Sequence, residues 1–291
     1  MNDVVVETTE LLADWIEVCV LVSESGHLSC DTINGLAKDE LGKNEAAVSM
    51  ALHVLRRRAA SMGKVYPFRV YELAVLRTES PWLEAYSRLL HLTPGSAARQ
   101  ITNLCDVAFM GETLEEIAEA ALANFWGDGG EALAFGYPSR HGRPQEFHLA
   151  VPWLASRIGV KAGHGYRPPR RKDGGVDVAA WRQFRDGRPG FPIALAQFTV
   201  QAEAFTKTTD IDLRLWSSWL ACDTDPLSLL VIPGTIRAAG PEWDQLTTVV
   251  TVIDRVRLME LLSRSEQVPS PHAWTHETCL ALKPLMKASE R

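Results

Sequence analysis

Two short apolar segments and the acid between them constrain this chain more than any other feature. Lys172 to Trp181 begins with Asp173-Gly174-Gly175 and continues as Val176-Asp177-Val178-Ala179-Ala180-Trp181, and the run Phe191 to Ala196 answers it some residues later, ending in Gln197. Val176, Val178 and Ala180 alternate with Asp177, Ala179 and Trp181, the two-residue period of a strand, and paired glycines permit a tight turn before it. The two segments therefore predict a β-hairpin, with Asp177 fixed on a rigid element. A carboxylate beside an apolar strand is costly unless a cation or a hydrogen-bond donor compensates it. Gln197, Glu115 and Lys207 are the candidate partners, and the hairpin carries polar residues where a metal could sit.

At 291 residues the chain has length for one large domain or two modest ones with substantial cores. Its five cysteines form no Cys-x-x-Cys pair, and an odd, scattered set argues against a disulfide framework, so a reduced, cytoplasmic setting is expected. No apolar run approaches the roughly 18 residues that span a bilayer, and the start lacks a basic leader; neither export nor a membrane partner is implied. The net charge of −6 disfavours indiscriminate coating of nucleic acid, but its distribution is uneven. Between Tyr137 and Gly190 eleven Arg and Lys face four acids, so a basic collar surrounds the acidic hairpin. Such a collar suits an enzyme that holds a polyanion while metal ions act on it, although a solvated basic loop would read the same way.

Helical spacing predicts helices over residues 8–24 and 44–62, with Ser29 and Asp31 as caps for a short helix between them, and Lys64 to Leu76 reads as a strand or small hairpin. Three helices and a hairpin form a winged-helix pattern, in which Arg56, Arg57, Arg58 and Lys64 could touch phosphates; a small helical adaptor with a solvated basic end is the bland alternative. A helical pair from Pro81 to about residue 105 follows. Glu112 to Trp126 predicts an amphipathic helix, then come a strand from Ala132 to Tyr137, a helix from Glu146 to Ile158 bent or interrupted at Pro152, the hairpin, a helix from Ala202 to Ala221, strands Leu227 to Pro233 and Thr247 to Ile253, and a helix from Asp254 to Ser263. That order is α/β.

Phosphodiester hydrolysis calls for a divalent metal held by oxygen ligands on rigid strands. Asp177 is the best ligand the chain offers, the amide oxygen of Gln197 could ligate or orient a water, and Lys207 could stabilise developing charge. The pattern Asp-Gly-Gly-x-Asp followed by Trp181, an Arg/Gly/Pro-rich connection, an apolar strand ending in Gln197 and a lysine ten residues on resembles the PD-(D/E)xK, restriction-endonuclease-like superfamily, nearest its Mrr-type variant with glutamine in place of the second acid. Leu114-Glu115 stands where the first helix of that core has Phe-Glu. Leu229 to Pro233 and the segment Ile253 to Leu258 are similar to a later strand and an Asp-Arg-x-Arg-Leu segment of prokaryotic relatives, so the likeness covers residues 110–265.

The resemblance implies a restriction-endonuclease-like core over 106–291, a central mixed sheet flanked by helices, preceded by the mainly helical domain 1–105. It makes Asp177, Glu115 and Gln197 the metal site for Mg2+ or Mn2+ and Lys207 a migrated catalytic lysine, because Thr199 occupies the position two residues after the glutamine. Arg170, Arg171 and Lys172 would grip the DNA backbone. The expected function is a metal-dependent DNA nuclease, the effector of a prokaryotic restriction or anti-phage defence system, working with an ATPase, helicase or sensor subunit and compatible with a homodimer. The alternative is a degenerate nuclease-fold subunit that binds nucleic acid or a partner protein without cleaving.

Other constellations are weaker. Glu146 competes with Glu115 for the helical acid, Asp173 reads as a turn cap, and His272 and His276 have the spacing of a zinc pair but lack a third ligand. No nucleophile elbow, Walker A loop or strand-linked Gly-x-Gly-x-x-Gly occurs.

Overall fold

A computed structural model describes residues 4–137, 141–168, 171–237 and 240–264. The chain divides into two units: the first holds Met1–Met110, Pro233–Arg237 and Arg255–Arg291, the second Gly111–Ile232 and Ala238–Asp254. The division falls at Met110, five residues beyond the expected boundary, and two later segments return to the first unit.

In the first unit, α1 (Thr9–Val22) starts where the Thr8 side chain accepts from the Leu11 N–H. After β1 (His27–Ser29), Ser29 caps α2 (Cys30–Leu41) by accepting from the Thr32 N–H, as its place in the sequence predicted, and Gly42 ends the helix at φ 62°. The Asn44 side chain caps α3 (Glu45–Met62). The strands β2 (Phe68–Val70) and β3 (Ala74–Arg77) pair antiparallel, and β3 also pairs with β1, which makes a three-stranded sheet of order β1-β3-β2. α4 (Leu83–Leu92) and α5 (Ala97–Ile101) complete this part; Leu90 and Ala98 pack with Val18 and Val22 of α1.

α6 (Val107–Leu122) leads into the second unit, beginning five residues earlier than its amphipathic pattern predicted and ending before Trp126. Then follow β4 (Glu131–Ala134), α7 (Phe147–Ile158), β5 (Lys161–Ala162), β6 (Val178–Trp181), β7 (Ile193–Phe198), α8 (Leu213–Trp219), β8 (Leu220–Ala221), β9 (Leu227–Val231), α9 (Pro241–Thr247) and β10 (Thr251–Ile253). The central sheet has five strands in the order β10-β9-β7-β6-β4 and is mixed: β6 pairs antiparallel with both β4 and β7, while β7, β9 and β10 are parallel. The predicted hairpin is therefore its middle, with Val178 paired to Ala196 and Trp181 to Ile193. Being central explains why both strands are almost continuously apolar. The helices α7 and α8 cover one face through Phe147, Leu154, Trp216 and Trp219, which pack with Ala179, Trp181, Ile193 and Leu195. Pro152 lies inside α7 without interrupting it.

The expected strand Thr247 to Ile253 shortens to Thr251–Ile253, its first residue ending α9, and one expected helix does not form as read. Residues 202–221 are not a single helix: a 3-10 turn covers Ala204–Lys207, and α8 begins only at Leu213, capped by the Asp212 side chain accepting from the N–H groups of Arg214 and Leu215. The reason is local competition. The hydroxyls of Thr206 and Thr208 donate to the carbonyls of Glu203 and Phe205, offering the backbone a turn in place of a helix.

The last helix, α10 (Arg255–Leu262), belongs to the first unit. Arg255 is fully buried there and donates to Asp14, and Arg58 of α3 pairs with Asp14 at 2.7 Å and Glu17 at 2.9 Å. Arg58 thus corrects the expectation that it reaches phosphate: it is 3 % exposed, at the centre of a buried ion network, whereas Arg56, Arg57 and Lys64 are exposed. No helix among the described residues is long and apolar enough to cross a membrane.

Candidate active site

Asp177 stands one residue before β6, at the turn that the glycine pair builds. Asp173 Oδ1 accepts from the Gly175 N–H at 2.9 Å, so Asp173 caps this turn. Gly174 (φ 68°) and Gly175 (φ 83°) both occupy the left-handed region that favours glycine, and each also lacks room for a side chain. A Cβ on Gly174 would meet the rings of Trp216 and Phe147, and one on Gly175 would lie 2.4 Å from the Asp210 carbonyl oxygen. Trp216 adds a hydrogen bond from Nε1 to the Gly174 carbonyl at 3.0 Å. The turn is thereby fixed to α8 and to the segment before it, and Asp177 with it.

The main chain of Asp177 is bound on both sides: its N–H donates to Ala196 at 2.8 Å, and its carbonyl accepts from Phe135 at 2.6 Å and Gly136 at 3.0 Å. In the side chain, Oδ2 accepts from the Phe198 N–H at 2.7 Å, which leaves Oδ1 to face elsewhere. Burial pushes this carboxyl up to about 7; the Phe198 hydrogen bond and the Lys207 charge oppose the rise, and the charges of Asp173 and Glu115 add to it. A carboxyl so placed holds its proton near neutrality unless a cation takes the proton's place.

Glu115, from α6, supplies the second carboxylate. Its Oε2 and Asp177 Oδ1 lie 3.3 and 3.5 Å from the point that a Cβ on Gly136 would occupy. A Cβ at 136 would crowd the Glu115 oxygen and touch that of Asp177, so Gly136 leaves the space beside both acids open. Sequence reasoning passed over this glycine; its place inside the apolar run expected as the strand Ala132 to Tyr137, which ends at Ala134, was the available signal.

Gln197 lies near the end of β7, one step past the Ala196 pair, and is 6 % exposed. Its Nε2 donates to Asp210 Oδ2 at 2.8 Å, whereas its Oε1 is buried with no hydrogen-bond partner. Leaving a buried amide oxygen unsatisfied costs about 1–3 kcal/mol, so the atom calls for a ligand. Lys207 does not lie in the first turns of a long helix, as expected. It ends the 3-10 turn, from which its Nζ reaches the same Asp210 oxygen at 3.2 Å. The Lys207 charge is also felt at Asp177. Thr199, where the Mrr pattern has lysine, is buried and accepts from the Gln201 N–H at 3.1 Å. Asp210 was not among the expected residues. Its neighbourhood Thr208-Thr209-Asp210-Ile211-Asp212 is dense in residues that cap helices or resist them, and that density was the signal of a break rather than of a helix interior.

The donor set fits a hard divalent cation: a carboxyl whose proton affinity burial and the charge of Glu115 raise, the Glu115 carboxylate itself, and an amide oxygen lacking a partner, all oxygen ligands. Among the described residues no cluster of three or more His, Cys, Asp or Glu side chains able to hold a metal occurs. Mg2+ keeps several waters in such sites.

The basic collar is less uniform than its sequence. Arg170 lies outside the described residues, as do His272 and His276. Arg171 is half-buried with its guanidinium 5.0 Å from the Trp219 ring centre, a structural contact. Lys172 is exposed, its Nζ 6.0 Å from the ring centre of Tyr137, next in sequence to Gly136. Glu146 is exposed beside His148 at 3.4 Å and is not part of the acid pair. No protein-family model, no curated protein and no solved structure matches the chain.

Proposed function

We propose that the protein is a metal-dependent nuclease that hydrolyses DNA phosphodiester bonds. The observation that carries this reading is that Asp177, its carboxyl pushed up by burial, borders Gly136 together with Glu115, while Gln197, on the paired strand, has a buried Oε1 without a hydrogen-bond partner and shares Asp210 with Lys207. Asp177 Oδ1, Glu115 Oε2 and Gln197 Oε1 would hold Mg2+ or Mn2+, which supplies polarisation of the phosphate and acidification of a water. The chain's own residues then have distinct tasks. The Phe198 N–H holds the Asp177 carboxylate in a fixed rotamer, and burial keeps competing water away from it. The Lys207 ammonium, 35 % exposed, offsets the charge that builds on the phosphate as the water oxygen bonds to phosphorus and the ester oxygen leaves with a proton. Lys172 and Tyr137 offer a cation and an aromatic face at the edge of the site for the substrate strand.

The mixed five-stranded sheet, antiparallel on its β6-β4 side and parallel on its β9-β10 side, supports a restriction-endonuclease-like assignment for the second unit, and the three-stranded sheet of order β1-β3-β2 with α2 and α3 supports a winged helix in the first. Arg56 and Arg57 on the exposed side of α3 would then meet DNA phosphates. A role as effector of a cytoplasmic restriction or anti-phage system, with an ATPase, helicase or sensor partner, follows by analogy from the resemblance. The test is cleavage of supercoiled plasmid and of single-stranded DNA with Mg2+ and Mn2+. Wild type should cut and Asp177→Ala should not. Binding without cleavage under either metal would point to the degenerate subunit; cleavage undiminished by Asp177→Ala would remove the metal assignment.

A further inference from the structure

Asp210 bonds to two members of the site and to neither carboxylate. One oxygen, Oδ2, accepts from Gln197 Nε2 at 2.8 Å and from Lys207 Nζ at 3.2 Å. An amide has a donor end and an acceptor end, and a carboxylate can only accept when ionised, so this contact dictates which end of Gln197 turns away. The end left over is Oε1, the buried atom without a partner. The backbone of Asp210 is equally constrained, because its carbonyl sits 2.4 Å from the position a Gly175 Cβ would take, against the turn that carries Asp177. From these contacts we infer that Asp210 is a positioning residue: it orients the Gln197 amide so that Oε1 is presented as a ligand, and it tethers Lys207 beside that ligand. The inference rests on the nuclease reading and adds to it a residue that divides its labour between metal affinity and turnover.

Replacement at 210 separates the two tasks. Asp210→Ala removes both contacts. Asp210→Asn keeps an oxygen that accepts from Gln197 Nε2 but offers Lys207 no charge. With the full chain at pH 8, calorimetric titration with Mn2+ should show affinity falling about ten- to a hundredfold in Asp210→Ala, the range for partners that orient metal ligands, and returning to near wild type in Asp210→Asn. Cleavage should stay depressed in both. The Asp210 side chain is 38 % exposed, so the fold should tolerate these changes, and Asp210→Ser gives a second truncation if alanine does not fold.

A metal-independent readout isolates the inference from the reading it rests on. The Gln197 side-chain amide protons, assigned by their loss in Gln197→Met, should exchange slowly in wild type and Asp210→Asn and fast in Asp210→Ala. If Asp210→Ala leaves that exchange unchanged, or binds Mn2+ as wild type does, Asp210 is not the positioning residue. If wild type binds no Mn2+ while the amide protons still respond to Asp210→Ala, the orientation stands and the metal reading falls.

Discussion

At the scale of single residues, the energetics of Asp177 run against stability. Its carboxyl keeps a proton up to about pH 7 in the fold, whereas in an unfolded chain an aspartate releases it near pH 4. Between those values the folded state binds more protons than the unfolded one, so this group's contribution is fully present below pH 4 and is lost as pH rises to 7, after which the penalty is constant. Asp177→Asn, which retains an oxygen for the Phe198 N–H, should therefore be more stable than wild type at pH 8, with the gap closing toward pH 4 at a rate of at most ~1.4 kcal/mol per pH unit. Thermal denaturation of both proteins across that range checks it; equal pH profiles would mean that the carboxyl ionises normally. Added Mn2+ should raise the wild-type melting temperature more at pH 8 than at pH 6, where protons compete, and leave Asp177→Asn unmoved. Lys207 behaves differently, because it holds no metal. Lys207→Ala should reduce cleavage about 10²–10³-fold, as for loss of one electrostatic stabiliser, while Mn2+ affinity stays within a fewfold of wild type. A parallel fall in Mn2+ affinity would show that Lys207 acts through the ligands.

At the scale of elements, the glycine pair has two jobs, and only one was visible in the sequence. A turn before a strand follows from Gly174-Gly175 and the alternating residues behind them. That Gly175 also lets the Asp210 carbonyl approach does not, because Asp210 lies 35 residues downstream and local patterns carry no information about which distant backbone comes near. Gly175→Ala should consequently cost more than the ~1 kcal/mol expected of strained backbone alone, and it should depress Mn2+ binding in the same way as Asp210→Ala. If Gly175→Ala lowers the melting temperature but leaves Mn2+ affinity intact, the close approach serves folding only. The misread helix has a similar cause. Helical spacing of apolar residues over 202–221 gave a single helix, but threonine hydroxyls and the Asp212 cap act over two to four residues and prevail over that longer period. The strands were more legible because burial on both faces forces an apolar composition that nothing local disguises.

At the scale of the whole molecule, every residue of the candidate site falls in the second unit, and the most costly electrostatics in the first. Arg58 was read with Arg56 and Arg57 as a basic surface cluster, yet it lies on the stripe of Val48, Ala51, Leu55 and Met62, three or four residues apart, that α3 buries. Periodicity marked it as interior; charge alone marked it as exposed, and the ion network resolves the conflict. Two acids, Asp14 and Glu17, and two arginines, Arg58 and Arg255, balance, and the hydroxyls of Tyr66 and Tyr86 donate to the same Glu17 oxygen at 2.6 and 2.8 Å. Arg58→Met would strand Glu17 without a cation and should destabilise the first unit by ~3–5 kcal/mol. Adding Glu17→Gln removes the stranded charge while keeping an oxygen for both tyrosines, so the double variant should recover much of the loss, a coupling that denaturant unfolding of the four-protein cycle measures. Because these groups belong to the first unit and the site to the second, Mn2+ affinity should be unchanged in Arg58→Met wherever the protein remains folded. A drop in that affinity alongside an intact second-unit transition would mean that the ion network bears on the candidate site as well as on the fold of its own unit.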